Sequence, residues 1–190
     1  MTVDNSISKY EQELLRDMIG REFAAFKCDP FVYSPMVFGL IGIYVGEKVY
    51  KLTANLNTVR RFTADDDVVR FELMTSADEN IKSRMEDGKL IKTPIQSRIK
   101  SISIVNDHQI LRYNNQSDEF ITTVGIIFHL EDNREVSFEL ETWFSEMITV
   151  KRGYDLIDLF APVSEFLEEW EGCDGYMPDC IREIIILDRL

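Results

Sequence analysis

Residues 98–142, RIKSISIVNDHQILRYNNQSDEFITTVGIIFHLEDNREVSFELET, decide the fold class. Ile102 and Ile104 alternate with Ser101 and Ser103, and this period of two places the isoleucines on one face of a strand. Asn106-Asp107 is a turn signal and closes that strand. His108 to Tyr113, Phe120 to Leu130 and Glu135 to Thr142 repeat the strand pattern, with further turns at Asn114-Asn115 and Asp132-Asn133. Met147 to Val150 adds one more run. Short strands joined by short turns make an antiparallel meander.

The same texture extends upstream. Ser6 or Ser8 caps a helix whose apolar positions are Tyr10, Leu14, Leu15, Met18 and Ile19. Glu11, placed three residues after Ser8, completes a capping box, and Gly20 ends the helix. Arg21 to Cys28 reads as a strand running into the turn Asp29-Pro30. Met36 to Val45 and Lys48 to Ala54 are two strands joined by Gly46-Glu47, and Val68 to Met74 is another. From Ser76 to Gly88 the chain turns polar, which predicts a short surface helix or a connecting loop. Leu90 to Thr93 then leads into Pro94.

Downstream, Pro162 starts a helix near residues 162–171. Phe166, Leu167 and Trp170 form its apolar side, and Gly172 stops it. Ile184 to Leu187 reads as a last buried strand. The expected class is therefore α+β, predominantly antiparallel β, with one helix at the N-terminus and one near residues 162–171.

The order of elements repeats. Gly42-Ile43-Tyr44 and Val49 to Leu52 parallel Gly125 to Phe128 and Val136 to Leu140. Val59 to Phe71 lies on Ile148 to Phe160 without a gap, and Phe23, Phe26 and Cys28 share the spacing of Ile99, Ile102 and Ile104. Two explanations stand. Residues 1–88 and 89–190 are pseudo-repeats of a duplicated β-meander, or alternation alone makes two meanders of one compact domain look alike. The physical expectation is two sheets packed face to face or one larger curved sheet, with a concave surface between the halves.

Composition narrows the function. With 190 residues, 45% hydrophobic and 29% charged, the chain is long enough to bury a core without staples. Its first ten residues are polar, and its longest apolar run, Met36 to Val45, contains two glycines and falls short of the roughly 20 residues of a membrane span. No secretory leader and no membrane association are expected. Cys28, Cys173 and Cys180 are odd in number and fit neither a disulfide framework nor a zinc knuckle, so a cytoplasmic location with reduced thiols is expected.

The net charge is −13, which argues against direct contact with nucleic acid. Residues 1–100 hold 15 acids and 15 bases, whereas residues 101–190 hold 19 acids and 6 bases. An excess confined to one half steers a basic partner or keeps the protein in solution. The densest group is Glu165, Glu168, Glu169, Glu171 and Asp174 around Trp170. Glu141, Trp143 and Glu146 belong to a second group, in which the adjacent rings of Trp143 and Phe144 cannot both face the core of a strand.

Signatures of catalysis are weak. Asp65-Asp66-Asp67 offers hard oxygen ligands, but on a strand the three acids point to alternate faces, and no EF-hand spacing follows. His108 and His129 face each other if their strands pair that way, yet supply at most half a metal site, even with Glu131, Asp132 and Glu135 nearby. Cys28 fits a buried apolar role at a strand end. Phe31, Tyr33 and Met36, around Pro30 and Pro35, suit a loop packed over a sheet edge. Gly39, Gly42 and Gly46 lack the lysine and helix of a phosphate cradle.

No catalytic residue, metal or cofactor is assigned. The expected function is a non-enzymatic interaction module whose acidic second half binds a basic partner protein, as an inhibitor, an immunity-type protein or a nucleic-acid mimic does. The alternative is a small-ligand or divalent-metal enzyme with its site between the halves, using Asp65 to Asp67 or the two histidines. Oligomeric state is left open.

Overall fold

The computed structural model describes residues 1–31, 35–62, 64–85 and 88–189. Tyr33 of the proline-rich loop and Thr63 before the aspartates lie outside them. The chain is 60% strand with two helices, an antiparallel α+β fold as its periodicity predicts.

In order, the elements are β1 (Thr2–Asn5), α1 (Lys9–Met18), β2 (Glu22–Cys28), β3 (Met36–Phe38), β4 (Leu40–Val45), β5 (Lys48–Arg61), β6 (Ala64–Ser76), β7 (Ile91–Tyr113), β8 (Gln116–Leu130), β9 (Glu135–Leu140), β10 (Met147–Gly153), α2 (Ser164–Glu169) and β11 (Tyr176–Leu187). They form an 11-stranded sheet in the order β3-β10-β9-β8-β7-β2-β4-β5-β6, with β1 parallel to β8 and β11 antiparallel to β7.

The long strand β7 organises the sheet. Its residues 91–98 pair with β2 and its residues 99–113 with β8, so one strand serves two sheet regions. Each region contains a run of four strands, β2-β4-β5-β6 and β7-β8-β9-β10, joined where β2 meets β7. Their inner faces meet. The ring of Phe23 of β2 lies 5.1 Å from that of Phe128 of β8, tilted by 56°, and Phe26 of β2 lies 5.8 Å from Phe138 of β9. Ile102, Ile104, Ile126, Ile41, Ile43, Tyr50 and Leu52 fill the same core, which Leu15 and Met18 of α1 also enter.

Helix α1 begins as its capping box predicts. The Ser8 hydroxyl accepts from the Glu11 amide at 3.3 Å, and the Glu11 carboxylate accepts from the Ser8 amide at 2.6 Å. Glu11 does more than cap. Although only 5% exposed, it also accepts from Arg70 at 2.6 Å and from the Leu73 amide at 3.0 Å, tying the helix to β6.

Several boundaries differ from the sequence expectation, each for a local reason. Met36 to Val45 is two strands, because Gly39 at φ +38° turns the chain so that β3 pairs with β10 rather than extending β4. A Cβ there would come within 2.8 Å of the Glu146 carbonyl, so the position favours glycine.

Asn106-Asp107 is not a turn. Both residues lie within the 23-residue β7, opposite a β-bulge that leaves Val124 of β8 without a register partner; Asn106 accepts from Thr123 at 2.7 Å and Asp107 pairs with Arg182. Strand β9 stops at Leu140, so Glu141 to Glu146 form a loop in place of a strand end. The last strand is 12 residues long and among the described residues pairs only with β7, leaving Ile184 and Ile186 exposed while Leu187 is buried.

Candidate functional site

The candidate site lies on the outer face of β7, β8 and β9, opposite the core. Alternation brings Asp107 of β7, Ser137 and Glu139 of β9 and Lys151 of β10 to this one side. The segment after β10 then covers this face. Asp155 adopts a left-handed conformation at φ +51°, a 3-10 turn spans Leu156–Leu159, and Phe160 drops onto the sheet.

Phe160 occupies space that Gly125 leaves open. A Cβ on Gly125 would stand 2.5 Å from Phe160 Cζ and closer still to Cε1. Phe160 packs with Val105, Val124, Ile127 and Ile157 in a small apolar cluster, and the cations of Lys151 and Arg182 lie 5.8 and 5.6 Å from its ring. Gly125→Ala should therefore expel the ring and lower stability by about 1–3 kcal/mol, the usual cost of overpacking. Urea denaturation measures this, and Phe160→Ala in the same chain should restore part of the loss.

A cavity of about 420 Å³ opens beside Phe160. Trp143, Phe144 and Phe166 give it aromatic walls, and Glu141 and Glu165 stand among its lining residues. Its deeper charges are matched. Arg182 holds Asp107 through two hydrogen bonds of 2.7 and 2.8 Å and also donates to the Ala161 carbonyl at 2.8 Å. Lys151 donates to Glu139 at 2.7 Å and to the Leu159 carbonyl at 2.6 Å.

The β5–β6 hairpin closes one side. Arg61, 6% exposed, donates to Glu169 at 2.8 Å and lies 4.1 Å over the Trp143 ring. Phe62 packs on Phe166 and Trp170, which seats α2.

The acids singled out in the sequence separate into two kinds. Glu169 is neutralised by Arg61 and Glu146 by Arg84 at 3.1 Å, both cations coming from the first half. Glu165, Glu168, Glu171, Asp174 and Glu141 are exposed, and among the described residues none has an ion-pair partner. Glu141, Trp143, Glu165 and Glu169 gather at the cavity, whereas Glu146 sits on its arginine away from it. Phe144 is 57% exposed beside the half-buried Trp143, so one ring faces outward, though from a loop.

Asp65 lies 3.7 Å from Arg60 and Asp67 accepts from Thr58 at 2.6 Å, both across the β5–β6 hairpin. Among the described residues no group of three metal-ligating side chains forms. Cys28 is buried, and that burial, with Asp29 beside it, pushes its thiol up to about 11, the wrong direction for a nucleophile. The histidines do not face each other, since His108 pairs with Ile121 and His129 with Ser101.

Each histidine instead has a carboxylate. His108 Nε2 lies 3.0 Å from Glu119, and His129 bridges Ser103 and Glu135. Ser103 has no sequence signal of its own. It sits on the same face as His129 and Glu135 on three consecutive strands, a juxtaposition that follows from strand register and from no local motif.

Among the described residues no helix is long and apolar enough to cross a membrane. Comparison with protein-family models, curated proteins and solved structures gives no match.

Proposed function

We propose that this chain is a cytoplasmic protein-interaction module whose acidic second half captures a basic surface on another protein, as an inhibitor or immunity-type protein does. One observation carries the reading. Residues 154–175 hold seven acids and no lysine or arginine, and Glu169 alone among them has an ion-pair partner in the described residues. The same surface exposes Phe144, Leu159 and Leu167 at 57%, 58% and 38%.

Unpaired charge steers encounter, and apolar side chains among the acids supply area to bury. In the narrower form, the carboxylates of α2 and its flanks stand where nucleic-acid phosphates would stand on a nucleic-acid-binding enzyme.

The test is charge reversal. A Glu165→Lys, Glu168→Lys, Glu171→Lys chain should lose capture of a basic protein that the unaltered chain retains at low salt and releases at moderate salt. Equal capture by both chains overturns the proposal.

A further inference from the structure

We propose that Ser103, His129 and Glu135 form a nucleophilic centre that hydrolyses small esters with an apolar acyl chain. Ser103 Oγ lies 2.7 Å from His129 Nε2, and His129 Nδ1 lies 2.8 Å from Glu135 Oε1. A hydroxyl on one imidazole nitrogen and a carboxylate on the other make the arrangement of nucleophile, base and orienting acid that activates serine. With Nδ1 protonated and donating to Glu135, Nε2 is the acceptor that faces the hydroxyl. Glu135 is itself held, because its second oxygen accepts from the Leu156 amide at 2.7 Å.

The second observation is a cavity. About 340 Å³ of space lies over this triad, lined by Ser103, His129, Lys100, Ser101 and the side chains of Ile127, Ile157, Ile184 and Ile186. It is separate from the acidic cavity, and the proposal does not rest on the partner-binding reading. Ser103 is 5% exposed, with Ile127 on β8 and Ile186 on β11 as its direct neighbours in register. Substrate therefore meets it from the cavity side, among isoleucines, which selects an apolar acyl group. The exposed Ile184 and Ile186, unexplained by packing, become one wall of the site.

The reaction balances without a cofactor. Ser103 Oγ bonds to the ester carbonyl carbon as its proton passes to His129 Nε2. For the resulting oxyanion, Lys100 and Ser101 are the lining residues that carry a further side-chain donor. The carbon–oxygen bond to the alcohol then breaks, and His129 returns the proton to the departing alkoxide. Water repeats the sequence on the acyl-serine, releasing the carboxylic acid and restoring the hydroxyl. Glu135 is a positioning residue that fixes the imidazole.

The full chain is treated with an alkyl fluorophosphonate and, separately, with p-nitrophenyl butyrate. The expected result is phosphonylation mapped to Ser103 and hydrolysis that falls by at least about 100-fold in Ser103→Ala and in His129→Gln, a floor well inside the loss that follows removal of a triad member. Glu135→Gln should lower kcat while leaving KM near its starting value. An unmodified Ser103 overturns the proposal, as does hydrolysis at equal rate in the unaltered chain and in Ser103→Ala.

Discussion

Glu11→Ala is expected to destabilise the protein by about 3–5 kcal/mol, the range for removing one partner from a buried ion pair. The carboxylate serves three donors, the Ser8 amide, the Arg70 guanidinium and the Leu73 amide. Alanine leaves all three behind, and Arg70, at 22% exposure, is poorly placed to regain water. Denaturation in urea with an unchanged slope measures the loss. A loss below about 1 kcal/mol would mean that these donors find other acceptors.

The same group gives the protein an acid sensitivity whose sign follows from its environment. Burial raises the carboxyl's pKa, but the hydrogen bonds from Ser8, Leu73 and Arg70 together outweigh it, and the net direction is down from 4.5. A carboxylate whose folded pKa lies below its unfolded value contributes stability that is complete above the unfolded pKa. That contribution is lost as pH falls through the folded one. Stability should therefore decline below about pH 4.5, and the Glu11→Ala chain should show a shallower decline over the same range.

Asp107→Ala should cost about 3 kcal/mol and loosen the last strand. Asp107 and Arg182 are direct partners in the β7–β11 register, with side chains 10% and 19% exposed. Removing the acid strands a guanidinium that also anchors the segment before α2 through the Ala161 carbonyl. Hydrogen exchange should then speed up along β11 more than along β8. The double variant Asp107→Ala, Arg182→Ala should lose less than the two single losses combined, because no unpaired charge remains. Additive losses would show that the pair is not coupled.

What the sequence made legible was what depends on near neighbours. The capping box of Ser8 and Glu11 spans three residues, and the turns at Asn114-Asn115 and Asn133 place asparagine at positive φ. Alternation at Ile102 and Ile104 assigned the inner face because the strand period is fixed by covalent geometry. The misread positions depend on distant partners. Asn106-Asp107 looks like a turn because both residues are polar, and only Thr123 and Arg182, 17 and 75 positions away, make their burial tolerable.

The same distance hid parts of the two sites. Glu169 and Glu146 count as free acids in composition until Arg61 and Arg84 arrive from the other half of the chain. Ser103 carries no local motif, and its place beside His129 and Glu135 follows from the register of β7, β8 and β9.

Capture by the acidic surface is tested most directly by one comparison. The unaltered chain, the Glu165→Lys, Glu168→Lys, Glu171→Lys variant and a control with Asp65, Asp66 and Asp67 changed to asparagine are immobilised in equal amounts. Each is used to capture proteins from one lysate at low salt. The prediction is a basic protein retained by the unaltered chain and by the control, released by moderate salt, and missing from the charge-reversed variant. Retention of the same protein by all three, or loss from the aspartate control alone, would contradict the assignment of the binding surface to α2 and its flanks.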